Sequence, residues 1–219
     1  MKYFKIMGRL KNGINGPFSG KIGTAVGASC RGVDYARSLP RKSGKPATPA
    51  QQKQRDKFGL IMGWLKPLLE LINIGYQILT GDKAPMNRAV SYHLTEAVVE
   101  NSGELEIDFT NAVFSRGELI VSWVLEFLCL ASKIIHIKWE NVAESSFNMA
   151  SDKASFIVYN PAKEQFVTFQ HVALRADLET SLQMPADFEN DSVHCWMSYV
   201  NEAGDMVSTS SYLGELLIT

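Results

Sequence analysis

Cysteine is scarce in this chain. The three present, Cys30, Cys129 and Cys195, are odd in number, far apart and without C-x-x-C spacing. A disulfide framework or a zinc site is therefore not expected, and free, buried or half-buried thiols are. Histidine is nearly as rare. His93, His136, His171 and His194 form no H-x-x-x-H and no H-E-x-x-H, the spacings that bring two ligands onto one helix face. There is no G-x-S-x-G elbow. The Gly20-Lys21 pair lacks the following Ser/Thr of a phosphate loop, and Gly23 to Gly27 is not G-x-G-x-x-G. Long apolar runs are missing too. Leu60 to Ile74 is broken by Lys66, Pro67 and Glu70, and Ile120 to Ile135 by Glu126 and Lys133, so no membrane span is expected. The opening MKYFKIMGRL has neither an apolar core of leader length nor a small-residue cleavage pattern. A cytoplasmic or particle-associated protein is expected. No catalytic signature is left, and the chain is read as a non-enzyme without a cofactor.

Acid is what the first sixty residues lack. They hold thirteen Lys/Arg against Asp34 and Asp56, a balance of +11. Residues 61–219 hold nine Lys/Arg against twenty-one Asp/Glu, a balance of −12, although the whole chain sums to −1. Such asymmetry points to a polyanion-binding or partner-binding arm. A chain with a cationic head and an anionic body also attracts its own copies.

What is present falls into two textures. Residues 8–38 are glycine-rich, with alternation at Ile22, Thr24, Val26 and Ala28 and again at Val33, Tyr35 and Arg37. This predicts a β-hairpin or two short strands. So thin a sheet, weakened by glycine, needs a partner surface. Pro40, Gly44, Pro46 and Pro49 make 38–50 a loop. Thr48-Pro49 then starts a helix to about Leu65, with Phe58, Ile61, Met62 and Leu65 on its apolar face, and Pro67 ends or kinks it. A second helix is expected over 86–100. From Glu104 onward, short β-branched and aromatic segments alternate with turn signals at 105–109, 118–127, 133–140, 154–160, 164–172, 177–184, 193–200 and 206–216. The expected fold class is α+β. An N-terminal glycine-rich β-hairpin and helices, residues 1–103, precede an acidic antiparallel β-sandwich of immunoglobulin/fibronectin type, residues 104–219.

The stretches GRLKNG, GKIGTAVG…RGVDYARSLP and TPAQQKQRDKF carry a resemblance. The chain resembles an uncharacterised, domain-of-unknown-function family of Bacteroidetes proteins over nearly all of its length. The shared features are the glycine-rich opening, the helix start Thr48, Pro49, Gln51, Arg55 and Phe58, and the Tyr159-Asn160-Pro161 turn. Cys30 stands where many relatives carry a large residue. Similar helix starts occur among phage-like structural proteins, which implies an assembling subunit but no chemistry.

Each remaining candidate has a plainer reading. Adjacent His194 and Cys195 on a strand point to opposite faces and do not pair as base and nucleophile. Glu104, Glu106 and Asp108 alternate on one strand, as a solvated face does or as a cation site does. Trp139 or Trp196 serves a carbohydrate- or protein-binding surface if exposed, and a core if not. The basic residues Lys11, Lys21, Arg31, Arg37, Arg41, Lys42 and Lys45 are the candidate binding site. Their expected partner is a further copy of the chain, giving a homo-oligomer in a particle, tube or filament. The alternative partner is nucleic acid, with Phe18 and Tyr35 stacking on bases.

Overall fold

A computed structural model describes residues 9–10, 13, 16–30, 32–40, 44–77, 83–101 and 103–219. The chain divides into two compact units, Met1–Thr48 and Pro49–Thr219. This division at 48/49 differs from the expected one at 103/104. The reason is that the helices, expected to belong with the glycine-rich head, share a core with the C-terminal strands.

The first unit is a four-stranded antiparallel sheet in sequence order: β1 (Arg9–Leu10), β2 (Phe18–Ile22), β3 (Ala25–Cys30) and β4 (Val33–Ser38). Ile22 pairs with Ala25, so Gly23 and Thr24 form a two-residue turn, with Gly23 at a φ of +57°. This turn corrects the expected continuous strand from Ile22 to Ala28. It sends Ile22 to the face opposite Val26 and Ala28.

The second unit opens with α1 (Pro49–Leu65), a single 3-10 turn at Lys66–Leu68 around Pro67, and α2 (Leu69–Gly75). The proline interrupts the hydrogen-bond ladder where the sequence places it. By length and composition Pro49–Gly75 can cross a membrane, its mean hydropathy reaching 1.3. It carries Ile61, Trp64, Leu65, Leu68, Leu71 and Ile72 into a core. α3 (Pro85–Glu96) starts on a proline at its first turn. It ends four residues before the expected 100, because Val98–Asn101 (β5) pairs with Glu104–Ile107 (β6) across a turn containing Gly103. β-Branched Val98 and Val99 favour that ribbon over another helical turn.

Seven strands follow: β7 (Trp123–Leu130), β8 (Ile134–Glu140), β9 (Lys153–Asn160), β10 (Gln165–Leu174), β11 (Glu179–Gln183), β12 (Ser192–Val200) and β13 (Ser211–Leu217). They form two antiparallel sheets, ordered β10-β9-β12-β13 and β11-β8-β7. The expected strand at 118–127 lies at 123–130 instead. Between the sheets sit Ile135, Ile137, Trp139, Phe156, Val158, Cys195, Met197 and Tyr199. The opposite face of the four-stranded sheet offers Ile157, Tyr159 and Trp196 to the helices. β9 and β12 are therefore covered on both faces, which explains why they read as nearly unbroken apolar runs. A strand with one wet face alternates instead.

Trp64 joins helices to sheet. Its ring lies 5.3 Å from those of Phe114 and Phe166, 5.6 Å from Tyr159 and 6.5 Å from Trp196. Edge-to-face and tilted ring pairs in this range add about 0.5–1.5 kcal/mol beyond area burial. Arg175 has the corresponding place in the other core. It is 1% exposed and holds Asp152, Ser122 and the Ile120 carbonyl.

Candidate functional site

The glycine-rich sheet of the first unit is the first candidate, because it has almost no interior. Among its described residues Gly27 alone is buried, and all six residues of β4 are exposed. A Cβ on Gly27 would lie 2.0 Å from the Phe18 carbonyl oxygen. Glycine is kept there by close backbone approach. Val33 is 68% and Tyr35 46% exposed.

Strand register places the candidate cations. Lys21 pairs with Val26, and Val26 pairs with Arg37. Lys21 and Arg37 therefore share one face, two strand spacings or about 10 Å apart. Tyr35 and Val33 lie on that face also, at i−2 and i−4 from Arg37. Lys45 is exposed in the loop that follows. Lys11, Arg31, Arg41 and Lys42 lie outside the described residues. Phe18 and Tyr35, the aromatics expected to stack on bases, both border a cleft of about 150 Å³ with Pro17, Asp34 and Ala36. Phe18 is in register with the face of Gly20, Ile22 and Gly27, opposite to that of Tyr35.

In the second unit the candidate chemistry resolves into structure. Among the described residues no three His, Cys, Asp or Glu side chains are grouped to hold a metal ion. Cys195 is buried, and burial pushes its thiol well above the ordinary range, where it is a poor nucleophile. His194 faces the other way. Its ring lies 4.2 Å from that of Phe109, and its Nδ1 is 2.7 Å from the Tyr212 hydroxyl. Asp108 caps the turn at Phe109–Asn111, accepting from the Thr110 N–H at 3.0 Å and the Asn111 amide at 2.7 Å. The Thr110 hydroxyl also donates to it at 2.5 Å, and that bond is the leading cause of its lowered carboxyl pKa. Glu106 accepts from Asn101. Trp139 and Trp196 are 1% and 0% exposed, so neither anchors a surface ligand.

His93 is fully buried in α3, with Nδ1 2.8 Å from the Ala89 carbonyl and Nε2 accepting from the Val113 N–H at 3.2 Å. Those two bonds require the neutral tautomer with its proton on Nδ1. Burial lowers its pKa below the usual 6.5, and burial likewise lowers that of His194. A group whose folded pKa is depressed contributes stability above its unfolded pKa and loses it as pH falls through the folded value. The melting temperature is therefore expected to fall as pH drops below about 6.5. The His93→Gln variant, whose amide can both donate and accept, should show a shallower slope between pH 7.5 and 5. Thermal melts across that range check this, and an unchanged slope rules it out.

Two clefts were not foreseen. One, of about 320 Å³, is lined by Gly59, Gly63, Trp64, Tyr159, Glu164 and Phe166, among others. The other, of about 340 Å³, lies between the edge strands of the two sheets, lined by Ser122–Leu125 and Phe127 on one side and Ser211–Leu213 on the other. Beside it β7 exposes Trp123, Leu125, Leu128 and Leu130. The signal was in the sequence, as WVLEFLCL is apolar at nearly every position.

No curated protein matches the chain. The crystal structure of the chicken CNTN1 FN1–FN3 domains is similar to part of it, at 18% identity and a TM-score of 0.32. That similarity covers 47% of this chain and 33% of the other, so the chain spans about a third of that structure's length. The model of the family of unknown function DUF6266 matches residues 17–214, and the chain belongs to that family.

Proposed function

We propose that this is a non-enzymatic structural protein that assembles with its own copies. In this reading the basic first unit of one copy docks on the acidic second unit of the next. Residues 1–48 hold ten Lys/Arg against one Asp, and residues 49–219 hold twelve Lys/Arg against twenty-two Asp/Glu. The observation that carries the reading is the sheet without a core. A few short strands with both faces wet are marginal in water, and burial against a partner stabilises them. The second unit, with four- and three-stranded antiparallel sheets around one core, is read as an immunoglobulin- or fibronectin-like sandwich. Contact between unlike surfaces repeats head to tail, closing into a ring or running on as a filament. A phage-like particle, tube or filament of a Bacteroidetes protein is the concrete form proposed.

The second reading is nucleic-acid binding by the same arm. The Lys21–Arg37 row supports it, with Tyr35 on the same face as that row and Phe18 on the other. Size-exclusion chromatography with light scattering separates the two, recorded at 260 and 280 nm. It is run at low salt and at about 1 M salt, where screening shrinks to about 3 Å. Self-assembly predicts large, protein-only particles at low salt that the triple Arg41→Glu, Lys42→Glu, Lys45→Glu variant fails to form. A monomer that carries 260 nm absorbance and sheds it in salt replaces this reading with the second one.

A further inference from the structure

We propose that β7 is the acceptor edge of the assembly, and that its occupant is β4 of a neighbouring copy, added as an extra strand. The inference rests on the self-assembly reading above and names the surface that reading leaves open.

β7 is the outer strand of its sheet, and among the described residues no strand pairs with its free edge. Edge strands are normally blunted by Lys, Pro, β-bulges that twist the edge away, or covering loops. Trp123–Leu130 has neither Lys nor Pro, and its one charged residue is Glu126. Trp123 is 69% and Leu125 57% exposed, and Leu128 and Leu130 follow on the outward face. A bulge between Val124 and Glu126 bends the first end. From Glu126 to Leu130 the ladder to β8 is regular, which leaves Glu126, Phe127 and Leu128, short of Cys129, to template another strand. At the bulged end the cleft between β7 and β13 gives the added strand room. At the other end the seam is closed, with the Thr219 N–H on the Cys129 sulfur at 3.4 Å.

β4 has the matching properties. It is the last strand of its sheet, six residues long and exposed throughout. Val33, Tyr35 and Arg37 alternate along one face, two apolar groups and a cation for a strand whose outward face is apolar with one carboxylate. Two β7 edges pairing with each other would bring acid and no base. β4 brings Arg37 to Glu126, in keeping with the opposite net charges of the two units. Union would extend the three-stranded sheet by the four strands of the donor and give that coreless sheet a covered edge. Every copy holds both a donor and an acceptor, so the contact propagates. Backbone pairing supplies the affinity of such strand addition, and side-chain pockets its specificity.

The test uses the full chain under assembling conditions. Leu128→Lys places a cation at an exposed edge position and should raise the concentration needed for assembly by at least about tenfold. Arg37→Glu and Glu126→Arg should each weaken assembly, and the double variant should recover it. Hydrogen exchange should slow together in Trp123–Leu130 and Val33–Ser38 on assembly and recover on dilution, with circular dichroism confirming the fold of each variant. If Leu128→Lys assembles normally while the triple Arg41, Lys42, Lys45 variant does not, the arm docks elsewhere and this inference is overturned, the parent reading surviving. Protection of β7 without β4 means β7 pairs with itself and also overturns it. Protection of both strands in a concentration-independent monomer overturns it as an intramolecular contact. Loss of assembly in neither set of variants overturns both readings.

Discussion

Replacing Arg175 with alanine lowers the stability of the protein by about 3–5 kcal/mol, the cost of breaking a buried ion pair from one side. Arg175 and Asp152 are each 1% exposed, joined from Nε to Oδ2 at 3.0 Å. The rest of the guanidinium reaches the Ser122 hydroxyl at 3.0 Å and the Ile120 carbonyl at 2.7 Å. Its carbon stacks 3.7 Å from the centre of the Tyr199 ring. The Arg175 backbone carbonyl accepts from the Trp139 indole at 3.1 Å and from the Asn141 amide at 2.9 Å. One residue thus ties the segment before β7, the end of β8 and the start of β9 together. Alanine leaves the Asp152 carboxylate buried without its cation. Lysine does not rescue the variant, because a point charge cannot serve three acceptors in a fork. Removing both charges, as Arg175→Met with Asp152→Asn, costs less than Arg175→Ala alone. Urea unfolding of the four proteins checks the order. A loss below about 1 kcal/mol for Arg175→Ala would mean that the network is a bystander.

A fragment of residues 49–219 folds cooperatively, and a fragment of residues 104–219 does not. The helices supply Ile61, Trp64, Leu65, Leu68, Ile72, Tyr76, Ala89 and Val90 to the core over the four-stranded sheet. Without them Ile157, Tyr159, Phe166 and Trp196 face water. Each large apolar side chain stripped of its cover loses about 1.5–3 kcal/mol. Four such losses rival the whole stability of a domain, about 5–15 kcal/mol. Thermal unfolding followed by circular dichroism and near-ultraviolet spectra distinguishes the fragments. A sharp transition at the same temperature for both would restore the boundary at 103/104.

That boundary shows where reading along the chain fell short. The helix from Pro49 to Leu65 was legible because proline, spacing and the Pro67 break act locally. Most of the strands after Glu104 were legible from their turns and β-branched content, and β9 and β12 were found to within a residue or two. The partner of each face was not. Trp64 carries no mark in the sequence that distinguishes a helix packed on its own neighbours from one packed on Tyr159 and Trp196, 95 and 132 residues further along the chain. Arg175 is similar, since an arginine in a turn before a strand reads as surface until the burial of Asp152 is known.

The candidate site divides along the same line. Net charge, glycine content and the absence of metal, thiol and nucleophile motifs follow from composition and short spacing, and no fold alters them. Which cations share a face depends on register. A two-residue turn at Gly23-Thr24 is enough to put Lys21 with Arg37 and to part Phe18 from Tyr35. The open edge of β7 depends on more still, because a strand becomes an edge only when every other strand has found its place. Local preferences act over a few residues, while burial and pairing are set by contacts between segments far apart in the chain.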